Sequence, residues 1–255
     1  MNKEFKKAIT TASRNTGLSE KEVFHETIKT GLLHILVRLK SVENAVFDIY
    51  KLDEAFVSFL PSLSFAKFGE IEKVYALLHD IMLKSTPFDD VISEYFERHF
   101  ISAKNTRGQF MTPKKLATLV TKMLCPHESK PDNEPENLVI AEICCGTGTI
   151  IMSHLKNQFD TYGKDSFAKH TVYLNDLDPE LLRIAVYQIM FNCMQHDVRI
   201  GCLDFQCNNM ITQYPPDQKY TVWGMFGKSD EAHEDTIKLR VLSNFLDTLN
   251  LDVAA

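Results

Sequence analysis

The chain has 255 residues, 44% of them hydrophobic and 24% charged, room for one large domain or two modest ones. A net charge of −6 argues against a protein that embraces long nucleic acid through a broad basic surface. No apolar run approaches the ~20 residues of a membrane helix and the polar start lacks a secretory signal, so a cytoplasmic protein is expected. Six cysteines and nine histidines show neither zinc-site nor disulfide-scaffold spacing, and no metal is expected.

Residues 1–103 read as a helical domain, because apolar residues recur at three and four and Gly and Pro are rare. Ser19-Glu-Lys-Glu22 is a capping box that opens a helix running to Lys40. Further helices are expected over 42–59, 70–84 and 88–100, punctuated by Pro61 and Pro87. Thr112-Pro113 starts another, to Leu124, with Thr as N-cap and Pro in the first turn. A polar, proline-punctuated loop covers 126–136.

From 137 the pattern becomes strand, glycine turn, helix, strand, which sets a second domain over 104–255. Strands are expected over 138–143, 171–175, 198–203 and 220–223, with helices over 149–158 and 179–195 between them. That alternation implies a parallel sheet wound with helices on its faces. One more helix, Asp230 to Leu249, ends the series.

The loops between these elements carry the chemistry. Ligands of open α/β sheets sit at the carboxyl ends of the strands, and Gly146-Thr-Gly148 lets a charged, flexible cofactor approach the backbone there. Exposed amides at the following helix start suit its carboxylate. Glu142 would offer a counter-charge to an amino group. Asp176, after the second strand, suits a ribose, since an ionised acid accepts two hydroxyl hydrogen bonds. Leu177 can pack on one face of an adenine, and Asp204-Phe205 can accept its amino group and cover the other face. Asp176 and Asp178 also read as helix caps before Pro179, and Asp204-Phe205 as a turn plus a core aromatic. Dinucleotides use similar turns, but Gly-Thr-Gly lacks the full Gly-x-Gly-x-x-Gly fingerprint. Lys104, Arg107, Lys114, Lys115 and Lys122 form a basic group that either faces phosphates or is a solvated helix face.

In this order, Gly108-Gln-Phe-Met-Thr-Pro113, Glu142-Ile-Cys-Cys-Gly-Thr-Gly148 and Leu174-Asn-Asp-Leu-Asp178 resemble the adenine-N6 DNA methyltransferases, most closely the modification subunit of type I restriction systems. The similarity runs from Phe88-Asp-Asp90 to residue 227. It implies a Rossmann-like class I methyltransferase fold behind a helical domain, with S-adenosylmethionine as cofactor. Thr112 and Pro113 take the place of the Thr-Pro turn that holds the cofactor's carboxylate. Cys145, Gly146 and Gly148 match the Asp-Pro-x-Cys-Gly-Ser-Gly loop, with Glu142 for its Asp and Ile143 for its Pro. Asp176 matches the ribose acid, and Asp204-Phe205 an Asp-Phe pair that holds the cofactor adenine. The implied chemistry moves a methyl group from sulfonium to the amino nitrogen of a flipped adenine in DNA.

One element of that pattern is missing. The family grips the target amino group with Asn-Pro-Pro-Phe or Tyr, whereas Tyr220-Thr-Val-Trp-Gly-Met-Phe-Gly227 contains no such run, and only Phe226 suggests base stacking, against a core-packing alternative. Few residues follow, so the sheet is expected to be incomplete at its C-terminal side. Three readings stay open. One is an S-adenosylmethionine-binding adenine methyltransferase or a subunit of one, with DNA, a specificity or restriction subunit, or a second copy as partner. Another is a catalytically inactive relative acting by DNA or protein binding, in a regulatory or anti-restriction role. The third is purely structural, with the helical half as an oligomerisation module beside a vestigial sheet.

Overall fold

The computed structural model describes residues 3–41, 48–53, 56, 64–101, 111–124, 138–209 and 222–227. Helices α1 (Lys3–Thr16) and α2 (Glu20–Ser41) open the chain. The capping box closes as the residue types require: Ser19 Oγ accepts from Glu22 N–H at 3.2 Å and Glu22 Oε2 accepts from Ser19 N–H at 2.7 Å. Helix α3 (Phe65–Leu83) packs across both. Phe24 ties them to α4 (Ser93–Phe100), its ring centroid 5.6 Å from that of Phe96 and 5.1 Å from that of Phe100.

Two helical expectations are corrected here. Helix α4 begins at Ser93 rather than 88, because Phe88 takes a left-handed φ of 55° and the Asp90 side chain turns onto the chain ahead, its Oδ1 accepting from the Ser93 N–H at 3.0 Å. In place of a helix over 42–59, Asp48–Leu52 forms strand β1. Its Ile-Tyr-Lys-Leu run suits a pleated, half-buried surface, and an antiparallel partner supplies the pairing that a local periodicity count cannot see.

After α5 (Lys114–Leu124) come β2 (Val139–Glu142), α6 (Thr149–Tyr162), β3 (Thr171–Asn175), α7 (Pro179–His196), β4 (Cys202–Gln206) and β5 (Val222–Gly227). Strands β2, β3 and β4 are parallel, with Val139 opposite Thr171 and Thr171 opposite Cys202. Strand β5 then pairs antiparallel with β4, and β1 antiparallel with β5, giving the order β1-β5-β4-β3-β2. The wholly parallel sheet is thus corrected to a mixed one. Gly224 permits the β5 approach, since a Cβ there would lie 2.2 Å from Phe205 Cζ.

The start of β4 also moves, from the expected 198 to Cys202. Gly201 passes so close to the backbone of the 3-10 turn Lys164–Lys169 that a Cβ on it would meet Ala168 O at 2.4 Å. The Gly201 amide donates to Phe167 O at 3.0 Å, and only beyond it does the ladder with β3 begin. Val198 to Ile200 therefore serve as connector.

Helix α7 is buried continuously from Leu181 to Cys193. A helix buried on all sides needs cover on all sides, to which α2 and α6 contribute. The other face of the parallel strands is open among the described residues: Val139 is 63% exposed and Tyr173 41%. No helix among these residues is long and apolar enough to cross a membrane.

The α2–α7 contact closes at Gly31, where an added Cβ would lie 2.4 Å from the fully buried Tyr187 ring. Gly31→Ala should therefore destabilise by about 1–3 kcal/mol through overpacking, offset by roughly 1 kcal/mol of helix propensity. Urea unfolding with an unchanged m-value and a lower midpoint is the expected result.

Candidate functional site

Four segments meet at the carboxyl ends of β2, β3 and β4. The loop after β2 turns at Gly146 and Gly148, both left-handed, with φ of 55° and 89°. Gly148 also sits where a Cβ would come within 3.0 Å of Ala185 on α7, so a side chain there would crowd the helix as well as strain the turn. Its neighbour Thr147 is held from beneath by the fully buried Gln188, whose Nε2 donates to the Thr147 carbonyl at 3.1 Å. The 111–113 segment arrives from the other side. Thr147 Oγ1 lies 3.6 Å from Met111 Sδ, and the Pro113 carbonyl accepts the amides of Leu116 and Ala117 at the start of α5.

Asp176 joins the first loop to the second. Its Oδ2 accepts from Gly146 N–H at 2.7 Å and its Oδ1 from Asp178 N–H at 2.8 Å, while its own amide donates to Gln206 O at 3.3 Å. These bonds leave further lone pairs on both carboxylate oxygens. Leu177 projects beside it, 68% exposed, and Cys207 Sγ lies 3.8 Å from the Leu177 carbonyl. Asp178 is the N-cap of α7, accepting from Glu180 N–H at 2.9 Å, the capping role that Asp-x-Asp-Pro invites.

Glu142 ends β2 and reaches over the loop, where its Oε2 accepts from Ile151 N–H at 3.0 Å. An amide at the start of α6, expected to face a ligand, is taken by this carboxyl instead. Burial, reinforced by nearby Asp176, pushes the Glu142 carboxyl up to about 8 although the Ile151 amide opposes the shift. Asp176 is raised too, chiefly by burial. Cys145 is buried and its thiol is pushed up by the same desolvation, so it is packing rather than a nucleophile. The rim thus holds two carboxyl groups partly withdrawn from water, an environment suited to a cationic ligand.

Thr112, Pro113, Glu142, Cys145, Gly146, Gly148, Asp176 and Leu177 therefore come to one rim. Asp204 and Phe205 do not, because the later start of β4 puts both inside the strand. Phe205 is fully buried against Phe56, ring centroids 4.9 Å apart, and Asp204 lies in mid-strand opposite Tyr173 on β3 and Met225 on β5. At the rim their place is taken by Cys207 and Asn208. Phe226 belongs to β5, opposite Leu203 and Ile49. Because β5 is antiparallel, residues 225–227 lie toward the amino end of β4, away from the rim. Of the basic group, Lys114 pairs with Asp89, Lys115 and Lys122 are exposed on α5, and Lys104 and Arg107 lie outside the described residues. The loop at 126–136 and the helix expected at Asp230 to Leu249 also lie outside them. Sequence reasoning missed Met111, Gln188, Asn175 and Asn208, because their bonds join residues far apart in the chain. Among the described residues no group of three or more His, Cys, Asp or Glu could hold a metal ion.

A carboxyl raised above its usual 4.5 binds its proton more tightly in the folded chain. The stability this contributes is full below pH 4.5 and is lost as pH rises toward about 8. Glu142→Gln keeps an acceptor for Ile151 N–H and cannot ionise. Relative to wild type it should gain up to about 1.4 kcal/mol per pH unit across that window. Urea unfolding at pH 5, 6.5 and 8 measures this, and parallel profiles for the two proteins would contradict it.

A family model described as N-6 DNA methylase matches residues 88–218. Among solved structures, a type I restriction-modification system methyltransferase subunit from Streptococcus thermophilus is similar, with 13% identity and a TM-score of 0.32. The match covers 64% of this chain and 27% of that one, so the chain spans about a quarter of that subunit's length. No curated protein matches the sequence. The family match takes in just over half of the 255 residues, from the turn at Phe88 through the glycine loop, Asp176 and β4, and the chain belongs to the N-6 DNA methylase family.

Proposed function

We propose that the rim binds S-adenosylmethionine and that the chain is a DNA adenine-N6 methyltransferase-like protein of Rossmann-like class I architecture, a subunit or part of a restriction-modification methylase. The observation that carries this reading is the Gly146 N–H to Asp176 bond, which brings the glycine loop and the ribose acid together at one place. In this reading Asp176 accepts the ribose hydroxyls and Leu177 packs on the cofactor's adenine. Thr112 and Pro113, placed by Met111 beside the glycine loop, lie at its carboxylate. Glu142, half-buried and close to Asp176, is relieved of its desolvation by a cationic ammonium or sulfonium. Residues 1–103 act as a helical lobe and 104–255 as the methyltransferase lobe. DNA, a specificity or restriction subunit and a second copy are the partners this role calls for, in the cytoplasm.

When bound, the cofactor supplies an electrophilic methyl group. The chain's own contribution would be orientation and a desolvated rim, since transfer to an amino nitrogen needs no protein nucleophile. A grip on the acceptor amino group is what the sequence lacks between Tyr220 and Gly227, and residues 225–227 of β5 run away from the rim. This favours a second reading, in which the chain binds cofactor but acts on DNA or protein without transferring a methyl group by itself.

Calorimetric titration with S-adenosylmethionine tests the first step. Wild type should bind saturably, and Asp176→Ala should weaken binding by roughly 30-fold or more, the cost of removing a charged double acceptor. No saturable heat in wild type would end the cofactor reading. Tritiated-methyl transfer to unmethylated DNA then separates the two readings: the chain alone should incorporate little label, and strong incorporation without another subunit would overturn the inactive reading.

A further inference from the structure

We infer that Asn175 is a positioning residue that locks the three rim loops at one spacing, an inference that rests on the cofactor reading above. Asn175 closes β3, the middle strand of the parallel three, and is buried. Its Nδ2 donates to Ile143 O at 2.9 Å in the loop after β2 and to Asn208 O at 3.1 Å in the loop after β4. Its Oδ1 accepts from Asn208 N–H at 3.0 Å, and its main-chain carbonyl accepts from Cys145 N–H at 2.9 Å. Two carbonyls on one side and an N–H on the other fix which end of the amide is which.

An amide is the one compact side-chain group that both donates twice and accepts. A carboxylate here would face two carbonyl oxygens. An aliphatic side chain would leave the Asn208 carbonyl and N–H without this partner where they are buried, and the Ile143 carbonyl without it where it is partly so. Asp176 is the next residue, and its bonds to Gly146 in the glycine loop and to Gln206 at the end of β4 run toward the same two neighbours as those of Asn175. A ligand reaching from the glycine loop to the loop after β4 thus meets a span that Asn175 sets before binding. Preorganisation of this kind lowers the ordering cost that binding would otherwise meet.

The test compares wild type, Asn175→Ala, Asn175→Asp and a stability control, Leu78→Ala, which opens a cavity in α3 away from the rim. Titration with S-adenosylmethionine should show both Asn175 variants weakened by about tenfold or more, while the control stays within about twofold at an equal or larger loss of thermal midpoint. Equal weakening in the control would reduce Asn175 to general stability and overturn the role. Unchanged affinity in folded Asn175→Ala overturns it as well, whereas absence of binding by wild type overturns the cofactor reading itself. Amide exchange on wild type decides the matter even where a variant does not fold. Added S-adenosylmethionine should protect the Cys145, Gly146 and Asn208 amides together, and protection of the first two with no change at Asn208 would overturn the coupling.

Discussion

One hydrogen bond organises the rim: the Gly146 amide, freed by a left-handed turn, donates to the Asp176 carboxylate at the end of the neighbouring strand. Adjacent parallel strands deliver their carboxyl ends side by side, so a donor after one and an acceptor after the next are brought within reach by the sheet alone. The turn at Gly146 aims the amide across the gap, and Asp176 closes it. Gln188 holds this pair from below through Thr147, and Asn175 extends it toward β4 through Asn208.

This arrangement carries an energetic tension. Glu142 and Asp176 are both partly withdrawn from water, and Asp176 adds to the cost of ionising Glu142. Backbone amides from Ile151, Gly146 and Asp178 offset part of that cost without removing it. In the proposed reading a positively charged cofactor is the complement of this pair, and a loss of stability at high pH is its counterpart. Strain of this sort at a ligand site is a familiar trade between stability and function.

The helical part and the sheet share a boundary that is more than a linker. Gly31 lets α2 lie against Tyr187, and α7 is buried along thirteen consecutive residues between its neighbours. The same α7 supplies Gln188 to the glycine loop and Asn192 to the Phe88 amide, which it accepts at 2.6 Å. One helix thereby transmits the placement of the N-terminal half to the loop that forms the rim.

Much of this was legible in residue order. Ser19 to Glu22 announced a cap, Asp178-Pro179 a helix start, Gly146-Thr-Gly148 a close turn, and Asp176 an acid at a strand end, because each depends on neighbours a few residues away. Tertiary structure alone decided the rest. That β1 is a strand and β5 runs antiparallel follows from pairing between residues about 175 apart in sequence. That Phe205 is core and β4 begins at Cys202 follows from Gly201 pressing on the turn at Ala168. Asn175 looks like any polar residue before an acid until Ile143 and Asn208 are set on either side of it. Local sequence specifies turns and caps through short-range sterics and hydrogen bonds, whereas strand direction, register and loop-to-loop bonding are settled when distant segments compete for the same partners.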